Sequence, residues 1–268
     1  GFNQNTHRIA VGEPLGQFYG YITEGLYQVD DFNYDASTQT YTLKDGIPYH
    51  GDKSRIRPGM WKFKNLTGDD NVIDENDKTV IGNAQPKFYG GLNNSFTYKG
   101  FDLSIFLTFS YGNEVLNATK LVTSKVGSLN YNALDVMNSS NRWMTINSDG
   151  QKVTDPGELA ALNAGKTVAA YHDAQQGDNY IHSWAVEDAS YLKLSNVTLG
   201  YTFPKNLIAR VGLKNLRLYA TGNNLLTWTK YSGFDPEVST MKSGLTPGVD
   251  FGAYPLSRSF IFGLNVAF

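Results

Sequence analysis

The sequence predicts an all-β fold that forms a segment of a large antiparallel transmembrane β-barrel with long loops. Three observations carry this prediction: strands of alternating polarity, connections that alternate between short and long, and an aromatic residue at the end of the last strand. That strand sets Phe260, Phe262, Leu264, Val266 and Phe268 on one face, with small or mostly polar residues between them. An outer-membrane barrel uses its final strand to close the sheet, which leaves no unpaired edge in lipid.

Composition excludes several other classes of protein. The 268 residues are 41% hydrophobic with a mean hydropathy of -0.35, and no apolar stretch approaches the roughly 20 residues of a membrane-spanning helix. The 17 Tyr, 15 Phe and 27 Gly suit a β-rich chain with aromatic belts and many turns. A net charge of -2 gives no electrostatic case for nucleic acid, and the absence of Cys excludes disulfides and thiolate sites. The first residues do not resemble a signal peptide, so an exported chain is expected to have an upstream segment.

The clearest strands form a hairpin in the first half of the chain. Residues 16–28 predict a strand or a strand pair, and residues 29–86 a long loop with short β pieces such as 59–64. Strands at 87–98 and 101–111 follow, separated only by Lys99 and Gly100, which predicts a tight hairpin.

The second hairpin strand alternates almost without a break. Its odd-numbered residues are Phe101, Leu103, Ile105, Leu107, Phe109 and Tyr111. Ten steps of about 3.3 Å, tilted by about 40°, rise about 25 Å, which matches the apolar band of a membrane barrel. We therefore expect the odd face to contact lipid, and Asp102, Ser104 and Thr108 to face the lumen. A strand of a large soluble sandwich has the same pattern, and the alternation alone does not separate the two folds.

The lengths of the connections favour the barrel. Two more strands are predicted at 189–203 and 216–225, and a slip in the alternation near Ser195 and Asn196 predicts a β-bulge. The connections after residue 87 are therefore short, long, shorter and long in turn, as periplasmic turns and extracellular loops alternate in outer-membrane barrels. Short helices are expected in the long excursion, at 114–126 and 131–143. Because the smallest barrels have eight strands, we expect the chain to be part of a larger one.

A series of short motifs spans nearly the whole chain in order. They are Gly12-Glu-Pro-Leu-Gly16, Phe18-Tyr-Gly-Tyr21, Gly25-Leu-Tyr-Gln28, Tyr98-Lys-Gly-Phe-Asp-Leu103, Arg142-Trp143, Asp188-Ala-Ser-Tyr-Leu-Lys193, Asn196-Val-Thr-Leu-Gly-Tyr201, Asn223-Asn-Leu225, Asp235-Pro-Glu237 and Tyr254-Pro255. Together they resemble the C-terminal third of the SusC/RagA family, the TonB-dependent outer-membrane transporters of Bacteroidetes.

The resemblance implies a fold, a location and partners. Such a transporter has a 22-stranded barrel in the bacterial outer membrane and an N-terminal plug, so residues 1–268 are expected to be the C-terminal part of the barrel without the plug. It imports oligosaccharides or peptides with a SusD-like surface lipoprotein as its lid, using energy relayed by TonB through the missing N-terminal portion. The three long excursions, 29–86, 112–188 and 226–256, are expected to be extracellular and to dock the lid, with Arg142, Trp143 and Trp184 facing the partner or the substrate.

One loop carries a candidate metal site. Residues 65–77 resemble a calcium-binding pattern of related transporters, which makes Asn65, Asp69, Asp74 and Asp77 candidate Ca²⁺ ligands. The loop has fewer carboxylates than the pattern, one extra residue and a closing Asp instead of Glu, which weakens any site. The alternative is an acidic turn that is solvated at the surface and stabilised by its own Asx side chains.

No catalytic constellation occurs in the sequence. The four His residues lack zinc-site spacing, and there is neither a nucleophile elbow nor a phosphate loop, so no enzyme is predicted and no cofactor other than Ca²⁺. The four Trp residues suit stacking on sugar rings, but they equally suit membrane borders or the bracing of loops. The competing function is a soluble or surface carbohydrate-binding or adhesion β-domain without transport.

Overall fold

The computed structural model describes residues 5–68, 70–124, 134–170, 180–241 and 243–268. Strands dominate these ranges. In chain order the strands are β1 Gln17–Gly20, β2 Thr23–Leu26, β3 Phe32–Asp35, β4 Thr40–Leu43, β5 Tyr49–His50, β6 Trp61–Phe63, β7 Val72–Ile73, β8 Thr79–Asn83, β9 Phe88–Tyr98, β10 Phe101–Tyr111, β11 Glu114–Asn117, β12 Val186–Asp188, β13 Tyr191–Thr202, β14 Asn215–Thr229, β15 Val249–Asp250 and β16 Ser259–Ala267.

The helices are short. The α-helices are α1 Ala118–Thr123, α2 Pro156–Leu162 and α3 Lys205–Ile208. Single 3-10 turns occupy Val29–Asp31, Lys53–Arg55, Glu75–Asp77, Asp135–Met137, Ser183–Ala185 and Ala209–Val211. Across the described ranges, no helix has both the length and the apolar character that crossing a membrane requires.

Five long strands form one antiparallel sheet, which we call the barrel sheet. Its order is β9, β10, β13, β14, β16, so each strand pairs with its neighbours in the sequence of long strands. The β9–β10 pair is a hairpin whose two-residue turn, Lys99 and Gly100, has φ values of 48° and 89°. Positive φ at both positions is the type I′ geometry that matches the twist of the flanking strands. The predicted hairpin is confirmed.

The predicted bulge is also present. On both sides of β13 the register shifts at Ser195, because Leu194 pairs with Leu107 while Asn196 pairs with Phe106. This extra residue returns Val197 to the same face as Leu194. The alternation of polarity is therefore kept along the whole strand.

The barrel sheet has two chemically different faces. The apolar face consists mainly of Leu92, Phe96, Phe101, Leu103, Ile105, Leu107, Phe109, Val197, Leu199, Tyr201, Leu218, Phe260, Phe262, Leu264 and Val266. The polar face consists mainly of Asn93, Ser95, Asp102, Ser104, Thr108, Ser110, Asn196, Thr198, Thr221 and Asn223, with Phe106 and Ile261 among them. The apolar face is exposed, and Phe262 retains 81% of its accessible surface.

The rest of the described chain lies at one end of the barrel sheet and forms what we call the loop body. It comprises the residues before β9, those between β10 and β13, and those between β14 and β16. Small sheets hold it together: β1 pairs with β8, β2 with β6, β3 with β4, β5 with β7, and β11 with β12 and β15. Of the described residues, those at the other end of the barrel sheet are the β9–β10 turn, the α3 connection and the last residue.

Buried side chains from separate excursions share the cores of the loop body. The largest core contains Tyr21, Leu26, Val29, Trp61, Phe63, Ile73, Trp143, Val153, Leu159, Ala169 and Ala170. A second core, against which Ile81 and Ala84 of the first excursion pack, contains Phe18, Leu116, Ala118, Leu121, Ile181, Ala185 and Val249. The excursions are therefore one packed structure.

Three details of the sequence prediction are wrong. Residues 29–86 are not mostly open loop, since they contain paired strands and buried aromatic residues. The helix expected at 114–126 begins only at Ala118, because Glu114–Asn117 pairs as β11 and Asn117 caps the helix through its side chain. The helix expected at 131–143 is a single 3-10 turn, Asp135–Met137, within its described part, and residues 131–133 lie outside the described ranges.

Candidate functional site

Aromatic rings border the apolar face at both ends. Next to the loop body, Phe88 stacks on Tyr111 with ring centroids 5.0 Å apart. At the other end, Tyr201 lies 4.5 Å from the Phe101 ring and 5.0 Å from the Phe203 ring. Aromatic girdles on either side of an apolar band about 25 Å tall are the outer surface of a membrane barrel.

The polar face carries a belt of uncharged hydrogen bonds. Thr198 and Thr221 hydroxyl oxygens lie 2.8 Å apart across β13 and β14. Two rows along, the Asn196 side chain donates to Asn223 Oδ1 at 2.7 Å, and Asn223 donates to the Ser259 hydroxyl at 3.0 Å. These amides and hydroxyls satisfy one another and also offer donors and acceptors to water.

The charged residues of the five long strands are Asp102, Lys193 and Arg217, and each is ion-paired. Arg217 donates from Nε to Asp102 Oδ1 at 3.0 Å and from Nη2 to Oδ2 at 2.6 Å, a bidentate pair. Gly200 lies between them, and a Cβ there would clash with both side chains. Lys193 pairs with Glu237.

Glu237 also fixes the position of the third excursion. Its Oε1 accepts a hydrogen bond from the Tyr191 hydroxyl at 2.7 Å, while its other oxygen takes the Lys193 ammonium. Tyr191 and Lys193 are paired with Ser110 and Thr108, so both project from the polar face. The loop between β14 and β16 therefore folds over the polar side of the sheet.

The sequence of this chain is similar to the sequences of several TonB-dependent receptors. TonB-dependent receptor P3 of Formosa agariphila is 33% identical over 99% of this chain, and SusC of Bacteroides thetaiotaomicron is 29% identical over 74%. The chain belongs to the SusC/RagA-like TonB-dependent receptors. No family model matches it.

Solved structures agree on the fold. The RagAB peptide transporter superposes on 94% of this chain with a TM-score of 0.60 at 23% identity. The 'open-open' state of the RagAB peptide importer covers the whole chain with a TM-score of 0.61 at 21% identity. The predicted barrel fold is confirmed. In such a barrel the apolar face contacts lipid and the polar face lines the lumen.

The SusC/RagA-like segment is a fraction of its relatives. It spans 23% of receptor P3 and 17% of SusC, and 22% of the RagAB chain it matches. The predicted location in the bacterial outer membrane is confirmed, and so is the prediction that the protein is not an enzyme, since the relatives are TonB-dependent receptors.

The three side chains expected to face a partner lie in different surroundings. Trp143 is 1% exposed in the largest core and packs against Gly59, whose φ of 88° admits no bulky side chain. Trp184 is half-buried, with the Lys120 ammonium 4.1 Å from its ring centroid. Arg142 is half-buried, and its charge adds to burial in lowering the pKa of Lys166. Their role toward a partner stays a prediction, and the burial of Trp143 favours the bracing of loops.

The candidate calcium ligands do not form one cluster. Asp77 is buried, and its carboxylate accepts hydrogen bonds from the backbone N–H groups of Leu66, Thr67 and Asp74 at 2.7–2.9 Å. Burial raises its pKa, but these hydrogen bonds outweigh burial and lower it overall.

The other ligands are placed apart or are not described. The Asp74 carboxylate caps the 3-10 turn at Asn76, and the Asn65 amide donates to the Asp70 carbonyl oxygen. Asp69 lies outside the described residues. Among the described residues no three His, Asp or Glu side chains are grouped to hold a metal ion, so calcium binding stays a prediction.

Sequence reasoning missed an aromatic cluster built around two His residues. His50 is 3% exposed, lies 4.9 Å from the Phe63 ring and 5.5 Å from the Tyr180 ring, and forms no hydrogen bond with the described residues through either ring nitrogen. Burial lowers the pKa of His50 to about 4. His182 contacts the Trp61 and Phe63 rings. No spacing in the sequence links these residues, which come from segments more than 100 residues apart in the chain.

Proposed function

We propose that this chain forms part of the wall and the outer loops of a TonB-dependent importer of oligosaccharides or peptides. The observation that carries the proposal is the barrel sheet itself, whose exposed apolar face fits lipid while its hydrogen-bonded polar face fits a water-filled lumen. A soluble carbohydrate-binding domain has no use for such an exposed apolar face.

The position of the loop body supports one orientation of the segment in the membrane. Long loops are extracellular and short turns periplasmic in outer-membrane barrels, so the loop body lies outside the cell. The Lys99–Gly100 turn and α3 then lie in the periplasm. Energy relayed by TonB reaches the barrel through the N-terminal portion of the full receptor.

A SusD-like surface lipoprotein is the proposed partner of the loop body. Its support here is the shared packing of the three excursions, which provides a stiff platform that a lid can open and close against. Half-buried Trp184 and Arg142 are the proposed anchors, since Trp and Arg are enriched where interfaces carry most of their energy.

The proposal is tested by purifying the full receptor with its lipoprotein in detergent. We expect Trp184→Ala and Arg142→Ala together to lower recovery of the lipoprotein at least fivefold. Lys205→Ala is the matched control, because Lys205 is exposed at the opposite end of the sheet. Full recovery with the double variant would place the contact elsewhere. Loss of uptake in cells without TonB tests import independently.

We propose separately that the acidic turn of residues 65–77 binds Ca²⁺. The proposed ligands are Asn65, Asp69, Asp74 and Asp77. Isothermal titration of the full receptor with Ca²⁺, with Asp74→Asn as the comparison, tests it.

A further inference from the structure

A cavity of about 550 Å³ opens where the second and third excursions meet. It lies between the start of α1, the Asp135–Met137 turn and the loop that follows β14. That loop is held over the polar side of the barrel sheet by Glu237, so the cavity lies at the outer end of the lumen-facing side. Its volume is in the range of small-molecule sites in proteins.

Some polar groups that line the cavity already have a hydrogen-bond or ion-pair partner, and we call these committed. Others have no such partner among the described residues, and we call these uncommitted. Lys120 is committed, because it pairs with Glu187 at 3.0 Å and donates to the Trp184 carbonyl oxygen. Asp250 accepts the Tyr231 hydroxyl at 2.7 Å. The Asp135 carboxylate and the Asn141 side-chain amide form no hydrogen bonds with the described residues.

An aromatic ring stands at the same place. Phe234 lines the cavity and keeps 84% of its surface exposed, although large apolar side chains elsewhere in the loop body are mostly buried. A flat exposed ring beside an uncommitted carboxylate and an uncommitted amide is a combination that suits a sugar. The ring covers the apolar face of a pyranose, and the amide and carboxylate bind neighbouring hydroxyls.

The charged residues that line the cavity and those on the polar face of the barrel sheet both favour an uncharged ligand. Among the described residues that line the cavity, Lys120 is the one cation, and its ammonium is paired with Glu187, so these residues offer no unpaired positive group to a carboxylate or a sulfate. On the polar face of the barrel sheet, Asp102, Lys193 and Arg217 are all paired, and the belt between them is uncharged. The described residues of this part of the path therefore offer no unpaired cation to an acidic cargo, and the unpaired Asp135 carboxylate would repel one.

We propose that this cavity is a subsite for an uncharged oligosaccharide cargo, with Phe234 as the stacking platform and Asn141 and Asp135 as hydroxyl ligands. The inference rests on the proposed import function and narrows its substrate to neutral glycans. Peptides and acidic glycans are the alternatives that the experiment separates.

The test uses the full receptor with its lipoprotein, purified in detergent and applied to a printed array of neutral, uronic-acid and sulfated oligosaccharides. A labelled tryptic digest of casein is the peptide probe. We expect binding to neutral glycans, with about tenfold weaker binding for Phe234→Ala and for Asn141→Ala. Leu245→Ala is the matched control, because Leu245 is an exposed apolar residue of the same excursion that does not line the cavity.

The outcomes separate the two proposals. Binding of neutral glycans that is weakened by the cavity variants and unchanged by Leu245→Ala supports the subsite. Binding only to acidic glycans or peptides, no binding to any glycan, or unchanged binding by both cavity variants would overturn it. TonB-dependent uptake and recovery of the lipoprotein would still stand in each of those cases, so the importer is tested separately. Phe234 is exposed, so its replacement leaves the fold intact, which a thermal unfolding midpoint checks.

Discussion

The barrel sheet and the loop body treat aromatic residues in opposite ways. In the barrel sheet, Phe260 and Phe262 are largely exposed at 67% and 81%, whereas Trp143 and Phe63 in the loop body are each 1% exposed. The sheet relies on lipid to cover its apolar face, and the loop body builds its own core in water. The same residue types therefore stabilise the two regions through different surroundings.

Trp143→Ala gives the largest expected effect and acts on the loop body alone. Removing a fully buried Trp leaves a cavity, so the opening free energy of the loop body should fall by about 3–5 kcal/mol. Hydrogen exchange of the full receptor, followed by mass spectrometry, resolves this loss by region. Trp228→Ala at the exposed membrane border is the control and should cost much less. Equal costs would mean that the two regions do not differ as described.

Ile105→Arg tests the barrel sheet in the same way. Ile105 pairs with Val197 near the middle of the apolar face, where an Arg in lipid costs about 2–4 kcal/mol. Ser104→Arg, one residue away on the polar face, should be tolerated. A folding titration of the receptor in lipid vesicles compares the two, and equal damage would refute the assignment of the faces.

Acid should loosen the loop body and spare the barrel sheet. His50 has a pKa of about 4 when folded and about 6.5 when unfolded, so below pH 6.5 the unfolded state binds the proton more readily. Stability is full above pH 6.5 and decreases toward pH 4, with a loss of about 2 kcal/mol at pH 5. Hydrogen exchange at pH 7 and pH 5, corrected for intrinsic rates, measures it. His50→Leu should flatten this dependence, and an unchanged slope would show that other groups cause it.

The smallest expected effect concerns the polar belt. Thr221→Val removes the hydroxyl that lies 2.8 Å from Thr198, which should lower the stability of the barrel sheet by about 1 kcal/mol. Thr97→Val is the control, because Thr97 is exposed on the same face at the edge of the sheet. Urea titration in detergent measures both. A cost for Thr97→Val as large as for Thr221→Val would show that the belt adds nothing.

The sequence predicted the barrel sheet far better than the loop body. The physical reason is that the sheet is encoded by residues close together in the chain, whereas the loop body is held by contacts between distant residues. Alternation, the Lys99–Gly100 turn and the bulge at Ser195 are all encoded by neighbours along the chain. The core around Trp143 joins residues from distant excursions, and no local pattern reveals that Gly59 lies under its ring. The Asp102–Arg217 pair and the Glu237 contact were missed for the same reason.

The candidate site residues likewise depend on contacts that no local sequence pattern reveals. Asp77 is in a recognisable acidic turn, but its role as an acceptor of backbone N–H groups depends on how that turn folds. Phe234 and Asn141 are ordinary loop residues in the sequence, and only the meeting of two excursions places them on one cavity.

The central claim is that one face of the barrel sheet contacts lipid and the other contacts water. Residues 1–268 contain no Cys, and single Cys residues carrying a spin label can be placed at successive positions from Leu103 to Thr108 in a full receptor kept free of other Cys residues, in lipid vesicles. Collision with oxygen, which concentrates in lipid, should peak at 103, 105 and 107, and collision with a water-soluble nickel chelate at 104 and 108. The same ranking of both reagents at every position, without a two-residue period, would contradict the account.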